Sequence, residues 1–280
     1  MNRKRKRELV KYWRIPQVQG VDLLNASYVT QMFSKHTHEG YAVGVVESGA
    51  LGFAYRGETL VAGPGTVNLV IPGEPHTGFS AAEEGWTYRM FYLDAALMEH
   101  VASQVADRKR SRPFFRQGVI HDRRLARTLG ELHRAMEDQS RDLLEKESRL
   151  LMTLAQWIHR HAEDPPVIRS IGGEHHSVRL ARDYIESHFQ DAVSLEQIAS
   201  ISHLSAFHLI RVFQREVGLS PHAYLTQVRV ERARALILRG WTLACVAAET
   251  GFADQSHLTR HFKRILGITP GQYRNSIQDH

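Results

Sequence analysis

The last third of this chain repeats itself. Leu195, Ile198 and Ala199 return 48 positions later as Leu243, Val246 and Ala247, and the offset then becomes 49: Leu209 matches Leu258, Arg211 matches Arg260, and Phe213 matches Phe262. Gly218, Pro221 and Tyr224 return at the same offset as Gly267, Pro270 and Tyr273. Self-similarity at a fixed period means one supersecondary unit used twice. The change of offset puts one extra residue in the middle of the second copy.

Each copy reads as helix, turn, helix. In the first, Ser194 with Gln197 forms a capping box ahead of LEQIAS, Ser205 caps AFHLIRVFQREV, and Gly218 ends it. In the second, Thr242 opens LACVAAET, Gly251 supplies the turn, and Asp254 caps QSHLTRHFKRIL. Helical spacing sends Leu209, Val212, Phe213 and Glu216 toward the preceding helix, and puts Phe207, Ile210, Arg211 and Gln214 on another, exposed side. Exposed Phe and Ile suit base edges and thymine methyls better than water. In the second copy Leu258, Phe262 and Ile265 are expected inside, and Gln255, Ser256, Thr259, Arg260 and Lys263 outside. Gln and Arg are the side chains that bond adenine and guanine through two hydrogen bonds. Arg215, Lys263 and Arg264 are placed for phosphates, which fix register without reading sequence. Two helix pairs of an ordinary bundle are the alternative, disfavoured because cap, turn, outward arginine and closing glycine all recur in register. Between the copies, His222 to Arg239 has a helical pattern and would span about 27 Å. Double-stranded DNA repeats its major groove every ~34 Å, so a stiff connector of that length can set two recognition helices on one face of a duplex.

The stretch GFADQSHLTRHFKRILGITPGQYR resembles the C-terminal signature of the AraC family of regulators, and the matching span runs from about Val178 to Ser276. The resemblance implies base contacts from Phe207, Ile210 and Arg211, then from Gln255, Ser256, His257 and Arg260. It further implies transcription activation through contact with RNA polymerase. His203 stands where some members have glycine at the first turn position; histidine tolerates positive φ better than most residues.

From about Val21 to Leu93, short β-branched and aromatic runs (NASYVTQMF, YAVGVVES, GTVNLVIP, WTYRMFYL) alternate with glycine and proline punctuation, the pattern of a small antiparallel barrel or sandwich. Residues 94–106, 122–137 and 140–161 carry apolar residues at helical spacing. In the last of these, Leu143, Leu144, Leu150, Leu151, Leu154, Trp157 and Ile158 form one stripe, which fits packing on the barrel and equally a dimer seam. HTHEGYAVGVVESG with GPGTVNLVIPGEPH is similar to the cupin-type effector domain of the same family, which implies a bound small molecule and dimerisation through the flanking helices. The expected class is therefore α+β multidomain: a basic, flexible arm over 1–16, a cupin-like effector and dimerisation domain over 17–163, a linker over 164–177 holding Pro-Pro and Gly-Gly pairs, and an all-α DNA-binding domain over 178–276.

Net charge does not decide the function. The chain carries +6, but Arg3, Lys4, Arg5, Lys6, Arg7, Lys11 and Arg14 against Glu8 already account for it. Cys245, the single cysteine, sits among small apolar residues and reads as core filler in a reducing compartment. No apolar run is long enough for a membrane span and no apolar segment follows the basic N-terminus, so a cytoplasmic location is expected.

His36, His38 and His76 are candidates for the effector pocket. Metal cupins add a glutamate to such histidines; Ala42 and Val43 occupy its place, so no metal and no cofactor is expected. Thr87, Arg89 and Phe91 share one strand face; pointed into the barrel, Arg89 would be a buried cation needing an anion, and the effector a carboxylate. The chain reads as a regulator and not an enzyme, working with double-stranded DNA, a small-molecule effector and RNA polymerase as a homodimer. The rival is a metal-dependent cupin enzyme carrying a DNA-binding module.

Overall fold

The computed structural model describes residues 8–168, 170 and 172–278, with side chains described to Asn275. The chain groups into two compact units: residues 1–137 with 149–169, and residues 138–148 with 170–280.

The first unit is built on two sheets. The larger runs in the order β1 (Leu9–Arg14), β2 (Val21–Tyr28), β9 (Trp86–Leu93), β4 (Tyr41–Gly49), β7 (Val67–Val70) and β10 (Val119–Ile120). The smaller runs β3 (Phe33–His36), β8 (His76–Ser80), β5 (Leu51–Tyr55) and β6 (Glu58–Ala62). Side chains alternate across each strand, so Leu24, Ala26, Trp86, Tyr88, Met90 and Val46 of the larger sheet meet Leu51, Phe53, Tyr55 and Ala62 of the smaller in one apolar core. On the larger sheet's outer face lies α2 (Arg123–Glu137), which buries Leu125, Leu129, Leu132, His133 and Met136. Covered on both faces, the central strand β4 is buried from Tyr41 to Val46, which explains why YAVGVV reads as a continuous apolar run. Gly44 is required there: a Cβ would stand 2.0 Å from Met90 Sδ and 2.8 Å from the Arg89 carbonyl oxygen. The unit has two further helices, α1 (Ala95–Ala106) and α3 (Leu143–His161); Trp157 of α3 meets Tyr41 of β4 edge-on, and α3 gives its residues through Ser148 to the second unit.

The second unit is all-α: α4 (His175–Ser187), α5 (Leu195–Ile201), α6 (Ala206–Val217), α7 (Pro221–Leu238), α8 (Leu243–Glu249), α9 (Gln255–Leu266) and α10 (Pro270–Gln278). Helices α5 and α8 are each 7 residues long and α6 and α9 each 12, so the repeat seen in sequence is a repeat in structure. Each predicted cap is made: Ser194 accepts from the Gln197 N–H with Gln197 reciprocating, Ser205 accepts from His208, Thr242 from Cys245, and Asp254 from His257. Gly218 and Gly267 close α6 and α9 with φ of 78° and 79°.

Three expectations are corrected, and of the two readings of the α3 stripe the packed one is observed. Part of the N-terminal arm is a strand: Leu9 to Arg14 pairs antiparallel with β2 along its whole length, leaving the basic stretch 1–7 outside the described residues. Alternation of Leu9, Lys11 and Trp13 with Val10, Tyr12 and Arg14 is weak because this edge strand has no buried face. In the α3 stripe Leu144, Leu154, Trp157 and Ile158 are at most 1% exposed, with Trp157 stacked on Phe115 at 4.5 Å, so these residues pack inside the chain and do not form a free seam. Cys245 is exposed, because the short α8 buries only Val246 and Ala247. Ile265 is also exposed, one position beyond the arc on which Leu258 and Phe262 are buried.

Candidate nucleic-acid interface and effector site

The turn within each helix pair is held in the left-handed region, by His203 (φ 55°) in the first copy and Gly251 (φ 73°) in the second. Gly251 has no room for a side chain: a Cβ would lie 2.8 Å from the Gln190 carbonyl oxygen and 2.9 Å from that of Phe189. That close approach fixes α8 and α9 against the loop before α5.

The second recognition helix, α9, presents Gln255, Ser256, Arg260 and Lys263 as exposed residues with Thr259 half-buried beside them. This is a row of donors of the kind that reads base edges and phosphates. In the first, α6, Gln214 and Arg215 are exposed, while Arg211 is half-buried with its guanidinium 5.4 Å above the Phe207 ring. Phe207 and Ile210 are buried (5% and 3% exposed) and His257 is buried (2%), so none of the three belongs to a solvent-facing stripe. Helix α6 packs against α4, α5 and α7, and three neighbours widen the apolar arc of a helix beyond the face turned to a single partner. His257 serves the turn: its ring accepts the Ala253 N–H at 3.3 Å and lies edge-on to Phe252, and burial lowers its pKa.

Sequence reasoning missed the segment 138–148. Arg260 donates to Ser140 Oγ at 3.2 Å and lies 3.6 Å from Asp138 Oδ2. Arg229, whose side chain is 3% exposed, donates to Asp142 Oδ1 at 2.6 Å and to the carbonyls of Phe189 and Asp191. Glu147 accepts the N–H of Leu195, the first residue of α5, at 2.7 Å. The partners of Arg260 are 120 residues away in sequence, so no local pattern could announce them. In this arrangement the Arg260 guanidinium is engaged with a hydroxyl and a carboxylate of the protein itself.

In the first unit the three candidate histidines converge. His36 and His76 are cross-strand partners of β3 and β8 with ring centroids 4.2 Å apart, and His38 lies 4.9 Å from both. Nδ1 of His36 is 2.7 Å from the Ser34 carbonyl oxygen and Nδ1 of His76 is 3.2 Å from that of Glu74. Burial pushes His38 down to about 4, and burial likewise lowers His76. His38 also lines a cavity of about 360 Å³ with Tyr12, Asp22, Glu39, Tyr92 and Asp94.

Arg89 is not part of this site. The faces of β9 divide as Trp86, Tyr88 and Met90 inward and Thr87, Arg89 and Phe91 outward, so Arg89 lies under α2, bonded to Glu47 at 2.8 Å, Glu137 at 3.0 Å and His133 Nδ1 at 3.2 Å. Its anions are the protein's own, which removes the argument for a carboxylate effector.

Residues 18–154 match the family described as the AraC-like ligand binding domain, and residues 198–276 match a helix-turn-helix domain family. The chain is 28% identical over 230 residues to the uncharacterized HTH-type transcriptional regulator YbfI of Bacillus subtilis, the match covering 82% of each chain. It is 23% identical over 237 residues to the lactose operon transcription activator of Staphylococcus xylosus, again across 82% of each. Among solved structures it is similar to a probable AraC family transcriptional regulator from Rhodopseudomonas palustris, 26% identical, with 36% of this chain and 96% of that one covered and a TM-score of 0.34. Among the described residues no helix is long and apolar enough to cross a membrane.

Proposed function

The chain belongs to the AraC family of DNA-binding transcription regulators, and on that footing we propose that it is an effector-responsive activator reading two successive major-groove segments, one with α6 and one with α9. It is a regulator and not an enzyme. The observation that carries the two-segment reading is the pair of matched helix-turn-helix units joined by α7, 18 residues long and so about 27 Å. Arg211, Gln214, Gln255, Ser256, Thr259 and Arg260 would read bases, and Arg215 and Lys263 would hold phosphates. Activation is supported by the function named for the Staphylococcus relative, and would act through RNA polymerase in the cytoplasm. Homodimerisation would use a surface other than the α3 stripe, which the chain already buries.

The effector would be a small molecule bound in the first unit beside His38. The cavity there carries Glu39 and Asp94 with the hydroxyl of Tyr92, beside an Asp22 already paired with Arg14 and the Tyr12 hydroxyl, a lining that suits hydroxyl or amine groups better than a carboxylate. Binding would act through its different affinity for two states of the protein, shifting their populations. Titrating salt against binding to a random duplex tests the DNA reading: log affinity should fall linearly with log salt, by ~0.9 per phosphate neutralised. A slope near zero would count against it.

A further inference from the structure

The histidine cluster has the geometry of a metal site, although its sequence lacks the glutamate that metal cupins use. One ring nitrogen from each of His36, His38 and His76 can be chosen so that all three lie within 4.8 Å of one another. Tetrahedral or octahedral ligands around an ion at ~2.0–2.1 Å stand ~3–3.5 Å apart, so a small closure of the rings brings them into range. Two of the three rings are already oriented as ligands. The Nδ1–H of His36 donates to the Ser34 carbonyl and that of His76 to the Glu74 carbonyl, which leaves the lone pair of each ring on Nε2. Metal-binding histidines characteristically give their other N–H to such an oxygen, which fixes tautomer and ring direction before the ion arrives. Backbone pairing of β3 with β8 holds His36 opposite His76, so the pair is preorganised by the sheet.

We infer that His36, His38 and His76 together bind one divalent transition-metal ion through three imidazole nitrogens. Imidazole donors suit zinc, copper, iron and nickel; three protein ligands leave coordination positions open for water or an oxygen-bearing molecule. The inference goes beyond the proposed function and does not rest on it: a DNA-binding regulator can hold its effector with or without an ion.

The test uses the full chain without a histidine tag, stripped of metal and titrated with zinc, and separately with cobalt as a coloured probe. One tight equivalent per chain is expected, with visible cobalt absorption. His36→Ala and His38→Ala should each weaken it about 100-fold or more and abolish the cobalt spectrum, whereas His175→Ala, in the other unit, should change neither. His76 is buried, so His76→Ala can fail to fold; the other two positions are partly exposed and carry the test, with melting curves confirming that both variants are folded. The inference is overturned if no tight equivalent binds, or if that equivalent survives unchanged in folded His36→Ala and His38→Ala.

Discussion

At the scale of single residues, arginines carry this protein's logic and their surroundings divide them by task. Arg229 is a buried cation and Arg89 a partly buried one, satisfied by carboxylates together with main-chain carbonyls for Arg229 and a histidine nitrogen for Arg89. Arg260 is half-exposed, with only an exposed-side contact to Ser140 and Asp138 to give up on meeting a base; such exposed pairs contribute ~0–1 kcal/mol. The two kinds should respond oppositely to truncation. Arg89→Ala removes the cation shared by Glu47 and Glu137, leaving them only the more exposed Arg134 and Lys11, and strips His133 Nδ1 of its partner; it should lower stability by about 2 kcal/mol, read as a fall in melting temperature. An unchanged melting temperature would mean that Arg89 is not structural. Spacing in the sequence grouped Arg89 with Thr87 and Phe91 correctly, but alternation alone cannot say which face of a strand is the inside when both faces are covered.

Among elements, the helix pairs were legible almost to the residue because their signals are local. Ser194, Ser205, Thr242 and Asp254 cap where side-chain chemistry says they should, and the shift of offset from 48 to 49 appears as a turn one residue longer before α9 than before α6. Strand β1 was not legible, since an edge strand with no buried face carries no alternation to read. The burial of Phe207 and Ile210 is illegible for a related reason: helical spacing defines an apolar face toward one neighbour, and α6 packs against three helices. The second turn offers a test at this scale. Gly251→Ala adds both a strained φ and a collision with two carbonyl oxygens, so it should destabilise the second unit by more than the ~1 kcal/mol typical of forcing alanine into the left-handed region. His203→Gly, in the equivalent turn, should be neutral or slightly stabilising. Equal effects in melting experiments would show that the close packing around Gly251 is unimportant.

For the whole molecule, each unit contains a buried neutral histidine. His133, fully buried on the sheet-facing side of α2, is pushed down to about 4 by burial and then by Arg89, and His261 in α9 is pushed down to about 3 by burial and then by His257. Their unfolded counterparts take up a proton near 6.5. The folded pKa is depressed, so between pH 6.5 and 4 the unfolded chain binds the extra proton and stability is lost as pH falls. Each group adds about 1.4 kcal/mol per pH unit in that window. Melting temperature should therefore drop from pH 7 to pH 4.5, and His133→Gln should flatten part of the slope; a flat profile in the unaltered chain would contradict the buried, neutral assignment. At this scale no local pattern in the sequence reveals that 138–148 belongs with the second unit, since that grouping is made by Asp142 reaching Arg229 and Glu147 reaching Leu195 across the chain.

The central claim is that two matched helices read one duplex at two places. Hydroxyl-radical footprinting of the full chain on a site selected from random duplexes tests it most directly. Two protected patches on one face, about 10 base pairs apart, are predicted, with Arg211→Ala weakening one and Arg260→Ala the other. A single patch, or the same patch lost in both variants, would contradict it.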